Sequence, residues 1–546
     1  MKNILIAIRS IFKKGRHNVM KIVSLGIGLA VGLVLIAKVY FEQSYDDFYP
    51  DRDRVYQVWA KYQQNGGELK DYPQTSGGIA PTMQQQIPEI ETVTRYTSFG
   101  DWTFTMTDTK MKYSGRCIIA DSCFFDILPR PMLIGNAKEV LSTPMYVLVS
   151  SRIAKNIGGD VIGKNFTVDS SPGRTMTIGG VFEEVPENSH SRYDVIVSMA
   201  SAGRFMWEGS PTNMLGNDRY ISYVKLHKGV NPLALEEQVH TFVNSYFPPE
   251  EQQKTGFNIG FSFHELDGLH KELPQVKRMT WILSLLAFAL IFTAVMNYIL
   301  IVISSIVNRS KEVAVHKCYG ASENNIHGMM FGEALVHIVL SLILALLLIL
   351  AFRGTVEELL ATSLDSLLLS NGSLVLLGIC ILVFFVSGFM PGSLYARIPV
   401  ASAFRNYREN KRIWKKALLL VQFVATGFLV TMLVFVARQY TFMVNDRPGY
   451  AYENLAYCGL AGVDSTSRAK ILDEVMRLPG VVAATTVYQL PFEHASGNNI
   501  LLPGETQELF NIADLYWVGN GYLDMMEIPV IQGRSFTENV TNRSEE

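Results

Sequence analysis

Residues 22–41 read IVSLGIGLAVGLVLIAKVYF, an apolar run in which Lys38 is the only charged side chain. A helix needs about 20 such residues to cross the hydrocarbon core of a bilayer. A basic segment precedes the run, as in a secretory signal. However, the run is too long for the apolar part of a signal, and no small-x-small cleavage site follows it. We therefore predict an uncleaved transmembrane helix here.

Four further stretches are also long and apolar enough to cross a bilayer, and they lie at 281–306, 329–352, 374–390 and 417–436. They explain how a chain of 546 residues with 18% charged side chains reaches a mean hydropathy of +0.17. This composition is too apolar for a disordered protein, and a net charge of −2 argues against a nucleic-acid binder. The five cysteines form no CxxC pair, which excludes a zinc ribbon and a thioredoxin-like motif. The fold class that follows is a membrane α-helical bundle with five transmembrane helices.

Lysine and arginine are concentrated before the first helix, between the second and third, and between the fourth and fifth. The loop between the third and fourth helices carries Arg353 against Glu357, Glu358 and Asp365. Basic loops stay in the cytoplasm, so we predict a cytoplasmic N-terminus. By alternation, two large segments then lie on the outer side of the membrane.

The first outer segment, residues 42–278, is long enough for a folded domain. It contains β-type runs such as Val55–Trp59 and Thr175–Ile178, and an amphipathic helix candidate at Leu233–Tyr246. Strands and helices that alternate in this way predict an α/β or α+β domain.

The second outer segment repeats parts of the first. IPEIETVTRY at 87–96 is similar to LPGVVAATTV at 478–487, and ADSCFFDILPRPMLIGN at 120–136 is similar to GNGYLDMMEIPVIQGRSF at 519–536. The fifth helix is therefore predicted to open a second copy of the first half. Three helices follow the first outer segment and none follows the second, so we expect the chain to be truncated relative to a longer protein.

The most informative motif directly follows the second helix, where residues 309–322 read RSKEVAVHKCYGAS. Its basic side chains would hold the helix end at the cytoplasmic face. Gly320 lets the chain reverse, and Ser322 can cap a following short helix through Asn325. A short helix along the membrane face is a surface that an ATPase could push. From spacing alone, a simple basic loop remains the alternative.

This motif resembles the R-x-x-E-V-x-V-x-K-x-x-G-A-S signature of MacB/FtsX-like ABC transporter permeases. Residues 44–56 resemble the start of the MacB-like periplasmic core domain. Residues 390–392 and 399–405 resemble the entry into the second half of the duplicated, eight-helix subgroup, whose helices six to eight have no counterpart here. The resemblance implies that the following residues contact an ATPase: Arg309, Lys311, Glu312, Lys317, Gly320, Ala321 and Ser322.

The resemblance implies a permease subunit in the bacterial inner membrane that couples ATP hydrolysis by a separate cytoplasmic ABC ATPase to movements of periplasmic domains. This mechanotransmission would drive export, lipoprotein release or efflux-type work. The implied partners are the ATPase, a second permease unit in a homo- or heterodimer, a possible periplasmic or outer-membrane protein and the lipid bilayer, but no nucleic acid. We expect no enzymatic activity, no cofactor and no metal. The alternative is a membrane-anchored sensor or scaffold with an extracytoplasmic ligand-binding domain.

The predicted segments are a basic cytoplasmic N-terminus (1–21), the first helix (22–41), a periplasmic core domain (42–278), the second helix (279–306), a cytoplasmic coupling segment (307–326), the third helix (327–352), a short periplasmic loop (353–372), the fourth helix (373–393), a basic cytoplasmic linker (394–416), the fifth helix (417–438) and a partial second core domain (439–546).

Several motifs outside the coupling segment have an ordinary structural interpretation. Residues 158–164 fit G-x-x-x-x-G-K, but Asn165 replaces the hydroxyl residue of a P-loop and a strand follows. His264 and His270 could belong to a metal cluster, although a solvated turn is the favoured interpretation. Cys117 and Cys123 could form a bridge or be buried as thiols.

Two features of the membrane helices also have competing interpretations. Glu333 is expected to snorkel to the cytoplasmic interface, and a proton relay with His337 is the alternative. Gly28 and Gly32 have the small-x-x-x-small spacing that lets another helix approach closely, although this spacing is common by chance.

Overall fold

The computed structural model describes residues 17–64, 67–169, 171–216, 218–369, 372–396, 400, 413–445, 449–460, 463–491, 496–501 and 508–535. Outside this range lie residues 1–16 of the predicted N-terminal segment (1–21), residues 397–399 and 401–412 of the basic linker, and residues 536–546.

Helices and strands follow one another from residue 18 to residue 525. The α-helices are α1 (Asn18–Gln43), α2 (Ile79–Gln86), α3 (Phe124–Ile127), α4 (Ala137–Ser142), α5 (Ser151–Ile157), α6 (Ala202–Phe205), α7 (Glu236–Tyr246), α8 (Pro249–Thr255), α9 (Gly268–Lys271), α10 (Pro274–Ser304), α11 (Ile306–Cys318), α12 (Glu323–Ala351), α13 (Arg353–Leu360), α14 (Leu364–Leu368), α15 (Ser373–Ala396), α16 (Ile413–Asn445), α17 (Ser465–Met476) and α18 (Tyr522–Met525). The strands are β1 (Val55–Gln64), β2 (Lys70–Tyr72), β3 (Ile90–Met106), β4 (Lys112–Ala120), β5 (Met132–Ile134), β6 (Tyr146–Ser150), β7 (Asn165–Val168), β8 (Ser171–Phe182), β9 (Val195–Ser198), β10 (Ile221–Leu226), β11 (Phe257–Glu265), β12 (Ser496–Leu501) and β13 (Glu508–Leu515).

Five helices of the described chain, α1, α10, α12, α15 and α16, are long and apolar enough to cross a membrane. The predicted set of five is therefore confirmed. α10 begins with Pro274, a residue whose fixed φ suits the first turn of a helix and whose missing N–H would be unsatisfied there anyway.

The first four of these helices pack into one apolar core. Leu25 and Leu29 of α1 are completely buried in it with Ile299 of α10. A Cβ atom on Gly28 would lie 2.3 Å from the Cβ of Ala294, and one on Gly32 would lie 2.4 Å from Ile291 Cγ1. The predicted close approach at this glycine pair is confirmed, because only hydrogen-sized side chains fit between α1 and α10.

Glu333 is buried in the bundle. Its side chain is 8% exposed, and its carboxylate lies 3.8 Å from the Nζ of Lys21, whose side chain is 1% exposed. The carboxylate therefore pairs with a buried cation near the start of α1, in the predicted cytoplasmic segment 1–21, rather than reaching solvent alone. His337, one turn further along α12, lies 3.2 Å from the hydroxyl of Tyr298 on α10 through its Nδ1.

The segment between α1 and α10, which we call the core domain (residues 44–273), is built on an 11-stranded mixed sheet. Its strand order is β11-β1-β10-β3-β4-β9-β6-β8-β5, with β2 beside β1 and β7 beside β3 and β8. Most neighbours are antiparallel, but the pairs β4–β9 and β6–β8 are parallel. Helices pack on the sheet around three buried apolar clusters, which confirms the α+β class.

The second domain (residues 449–535) contains α17, the hairpin β12–β13 and α18. Two local features recur in the predicted repeat of 120–136 and 519–536, whereas residues 478–486 form no strand where 90–96 are part of β3, so the repeat stays a prediction. α18 occupies the same place in its repeat segment as α3 does in the first copy, and each is four residues long. Eleven residues beyond the start of each helix, Gly135 and Gly533 have φ angles of +85° and +88°.

The remaining motifs are part of the core domain's architecture. β7 continues directly from the 158–164 segment, as predicted, so no helix follows the G-x-x-x-x-G-K match. Cys117 and Cys123 are both free thiols, and Cys123 Sγ donates to the carbonyl of Val93. His264 stacks on Trp59, whereas His270 stacks on Tyr45, so each histidine has its own aromatic partner.

Candidate functional site

The candidate site is α11 and the turn that follows it, between the membrane helices α10 and α12. α10 ends just before Ser305, and the hydroxyl of Ser305 donates to the carbonyl of Val302 at 2.6 Å. Tyr395 of α15 also donates to that carbonyl, at 3.1 Å, and its hydroxyl lies 3.2 Å from the oxygen of Ser305. The break between α10 and α11 is therefore held in place by the end of α15.

A glycine ends α11. Gly320 has a φ of +86°, its N–H donates to Lys317 O at 3.0 Å, and the N–H of Ala321 donates to His316 O at 3.0 Å. These two bonds form a Schellman motif, which needs a left-handed residue at this position and thus favours glycine. The chain can reverse here without leaving the last carbonyls of α11 unpaired.

Ser322 caps the next helix as predicted, since its Oγ accepts from the N–H of Asn325 at 3.3 Å. The capped helix is the 29-residue membrane helix α12, not a short one. The expected short helix exists, but it is α11 and precedes the turn. The apolar pattern continues from Ile326 to the end of α12, so nothing in the sequence stops that helix early.

One face of α11 is buried against the bundle. Val313 and Ala314 are both 1% exposed and belong to the same apolar cluster as α10, α12 and α15. Lys317 Nζ donates to the carbonyl of Ala396, the last residue of α15, at 2.7 Å. Lys317 therefore ties α11 to α15, and the ATPase contact that the resemblance implies for it stays a prediction.

The opposite face of α11 is exposed. Lys311, Val315 and Tyr319 follow one another at four-residue spacing, and Val315 is 43% and Tyr319 89% exposed. Residues four apart lie on the same side of a helix, so the three side chains form a stripe. We call it the α11 stripe. Sequence reasoning missed Val315 and Tyr319, although their spacing from Lys311 was a usable signal.

The other candidate residues divide between these faces and the turn. Glu312 is half-buried, Gly320 and Ala321 form the turn, and Ser322 caps α12. Arg309 lies in α11 by its backbone, and its side chain falls outside the described residues. The α11 stripe is suited to binding another protein. It combines an aliphatic side chain, an aromatic ring and a cation on one exposed face, and aromatic residues are enriched in interfaces.

Two family models match the chain. The model of the MacB-like periplasmic core domain matches residues 20–242. The model of the FtsX-like permease C-terminal region matches residues 284–400, which include all of α11 and the seven candidate residues.

Three solved structures are similar to part of the chain. A domain of a protein provisionally assigned as a permease, from Porphyromonas gingivalis, has 32% identity and a TM-score of 0.37, and the match covers 40% of this chain and 91% of that one. The periplasmic region of MacB from Actinobacillus actinomycetemcomitans has 16% identity, a TM-score of 0.27 and coverages of 40% and 92%. The extracellular domain of the noncanonic ABC-type transporter YknZ from Gram-positive bacteria has 10% identity, a TM-score of 0.27 and coverages of 38% and 98%. No curated protein matches the chain in sequence.

Proposed function

This chain belongs to the MacB/FtsX-like family of ABC-transporter-type permeases, and we propose that a separate cytoplasmic ABC ATPase drives it through the α11 stripe. In this proposal the N-terminus and α11 face the cytoplasm of a bacterial inner membrane, and both α+β domains face the periplasm. The basic segments before α1 and between α15 and α16 support this orientation.

The observation that carries the proposal is the division of α11 into two faces. The buried face fixes the helix to the bundle through Val313, Ala314 and the bond from Lys317 to the end of α15. The exposed face presents a cation and two apolar side chains to a partner. A helix anchored on one side and open on the other can receive a force and pass it to the membrane helices.

Force applied to α11 has two routes into the bundle. One route is along the chain, because only Ser305 separates α11 from α10. The other is across the bundle, through Lys317 and Tyr395 to α15. We propose that these helices carry the movement to the periplasmic domains, where it does export, lipoprotein release or efflux-type work, and that two permease units act together as a dimer.

The test is co-purification in detergent of the full chain with each candidate ATPase of its host, followed by measurement of ATP turnover. We expect Tyr319→Ala to weaken the complex roughly 30-fold, since truncating a buried interface tyrosine costs about 2 kcal/mol. Lys311→Glu should also weaken it by replacing a cation with an anion.

Lys416→Glu is the matched control, because it reverses an exposed charge that the proposed orientation puts near the same membrane face. Wild-type affinity for both Tyr319→Ala and Lys311→Glu would contradict docking at the α11 stripe. Failure of the unaltered chain to bind any ATPase would contradict the proposed function itself.

A further inference from the structure

We infer that the loop of residues 187–191 in the core domain is the point at which movements of the membrane helices enter that domain, with Asp46 and Glu187 as positioning residues. The inference rests on the proposed function for its driving force. The contacts that carry it involve no residue of α11.

The first input comes from α1. Three residues beyond the end of this helix, Asp46 is completely buried, and its N–H donates to Asn188 O at 2.9 Å. Its carboxylate accepts from Ser189 Oγ at 3.0 Å and lies 2.7 Å from His190 Nδ1. In return, Asn188 Nδ2 donates to the carbonyl of Ser44 at 2.7 Å. A buried carboxylate with this many partners allows little independent motion, so α1 and the loop move together.

The second input comes from the connection between α12 and α15. The N–H of Ser363, in the turn between α13 and α14, donates to Glu187 Oε2 at 3.0 Å. The preceding residue, Thr362, accepts from Lys38 Nζ of α1 at 2.8 Å. Leu367 of α14 is buried in a cluster with Ala37 and Phe41 of α1. Packing thus holds the α13–α14 segment against α1, and Glu187 joins it to the core domain.

The loop also contacts two strands in the middle of the sheet. His190 Nε2 lies 2.5 Å from the hydroxyl of Tyr223 on β10, and Ser191 Oγ donates to the hydroxyl of Tyr96 on β3 at 2.8 Å. β10 and β3 are neighbours in the interior of the sheet. Five consecutive residues therefore connect both helix groups to two central strands, and a displacement of either group reaches the sheet at one place.

Glu187 allows a test that leaves the rest of this junction intact, since it accepts a hydrogen bond from a backbone N–H. We would compare Glu187→Ala with Glu236→Ala, a matched change on the exposed face of α7, by hydrogen exchange of the full chain in detergent. Glu187→Ala should speed exchange of amides 363–367 roughly tenfold, the effect of losing one charge-assisted hydrogen bond. Exchange in β6 should stay unchanged in both variants.

The decisive measurement repeats the experiment on the complex with the ATPase, with and without ATP. In the wild type and in Glu236→Ala, ATP should change exchange at residues 187–191. In Glu187→Ala that change should be reduced while ATP turnover continues, because the α1 input through Asp46 remains and the input from the α13–α14 segment is gone.

The outcomes separate this inference from the proposed function. A complex that hydrolyses ATP but shows no ATP-dependent change at 187–191, or shows the same change in Glu187→Ala, overturns this inference alone. Unchanged exchange of residues 363–367 in Glu187→Ala also overturns it. A chain that binds no ATPase overturns the proposed function, and the inference falls with it.

Discussion

The substitution Gly28→Ala tests whether the contact between α1 and α10 sets the geometry of the bundle. The added methyl carbon would lie 2.3 Å from Ala294 Cβ and 3.6 Å from Ala294 Cα. Carbon atoms in van der Waals contact are about 3.5–4.0 Å apart. The two helices must therefore separate by more than about 1 Å at this point, because neither Cβ atom can rotate away.

The expected loss of stability is the difference between two effects. Overpacking a well-filled contact usually costs about 1–3 kcal/mol, whereas replacing glycine by alanine inside a helix favours folding by up to about 1 kcal/mol. The net expectation is a destabilisation of about 1–2 kcal/mol. We would measure it as a lower melting temperature of the full chain in detergent.

Two variants decide whether this reasoning holds. Gly28→Ala combined with Ala294→Gly moves the methyl group from one helix to the other, so stability should return close to that of the wild type. Gly378→Ala in α15, where an added Cβ would meet no atom within 4 Å, should not destabilise the chain. The explanation fails if Gly28→Ala behaves like Gly378→Ala, or if the double variant is no better than the single one.

Three further predictions follow from exposure, backbone strain and charge. A membrane-impermeant maleimide should label exposed Cys458 from the periplasm but exposed Cys318 only after the inner membrane is opened; the reverse pattern would refute the proposed orientation. Gly320→Ala should cost about 1–2 kcal/mol, because its φ of +86° is strained for alanine, and should speed exchange of α11; unchanged exchange would argue against the turn's role. The hydrogen bond from Lys225 lowers the pKa of Asp51. The stability that this pair adds to the folded chain is therefore present above about pH 4 and is lost as the pH falls through the lowered pKa. Lys225→Met should reduce the fall in melting temperature on acidification, and a fall equal to that of the wild type would exclude this pair as a cause.

Much of the candidate site could be predicted from the sequence because its features are local. Gly320 and Ser322 end one helix and begin the next through bonds that span five residues or fewer. The roles of Lys311 and Lys317 could not be separated in this way. Both are basic residues on one short helix, and only the position of Ala396 at the end of α15 shows that Lys317 faces inward.

The sequence by itself determined the five membrane helices and the mixed helix-and-strand content of the core domain, and it pointed to Gly28 as a site where another helix can approach closely. Each depends on a continuous apolar run, an alternating pattern or a missing side chain, which are properties of neighbouring residues. The tertiary structure alone decided that Glu333 meets Lys21 inside the bundle and that Asp46 meets His190, a residue 144 positions away along the chain. A buried charge is stable only where an opposite charge or a hydrogen-bond partner meets it. Which residues pair in this way depends on how segments distant in the sequence pack against each other, and a local sequence pattern does not contain that information.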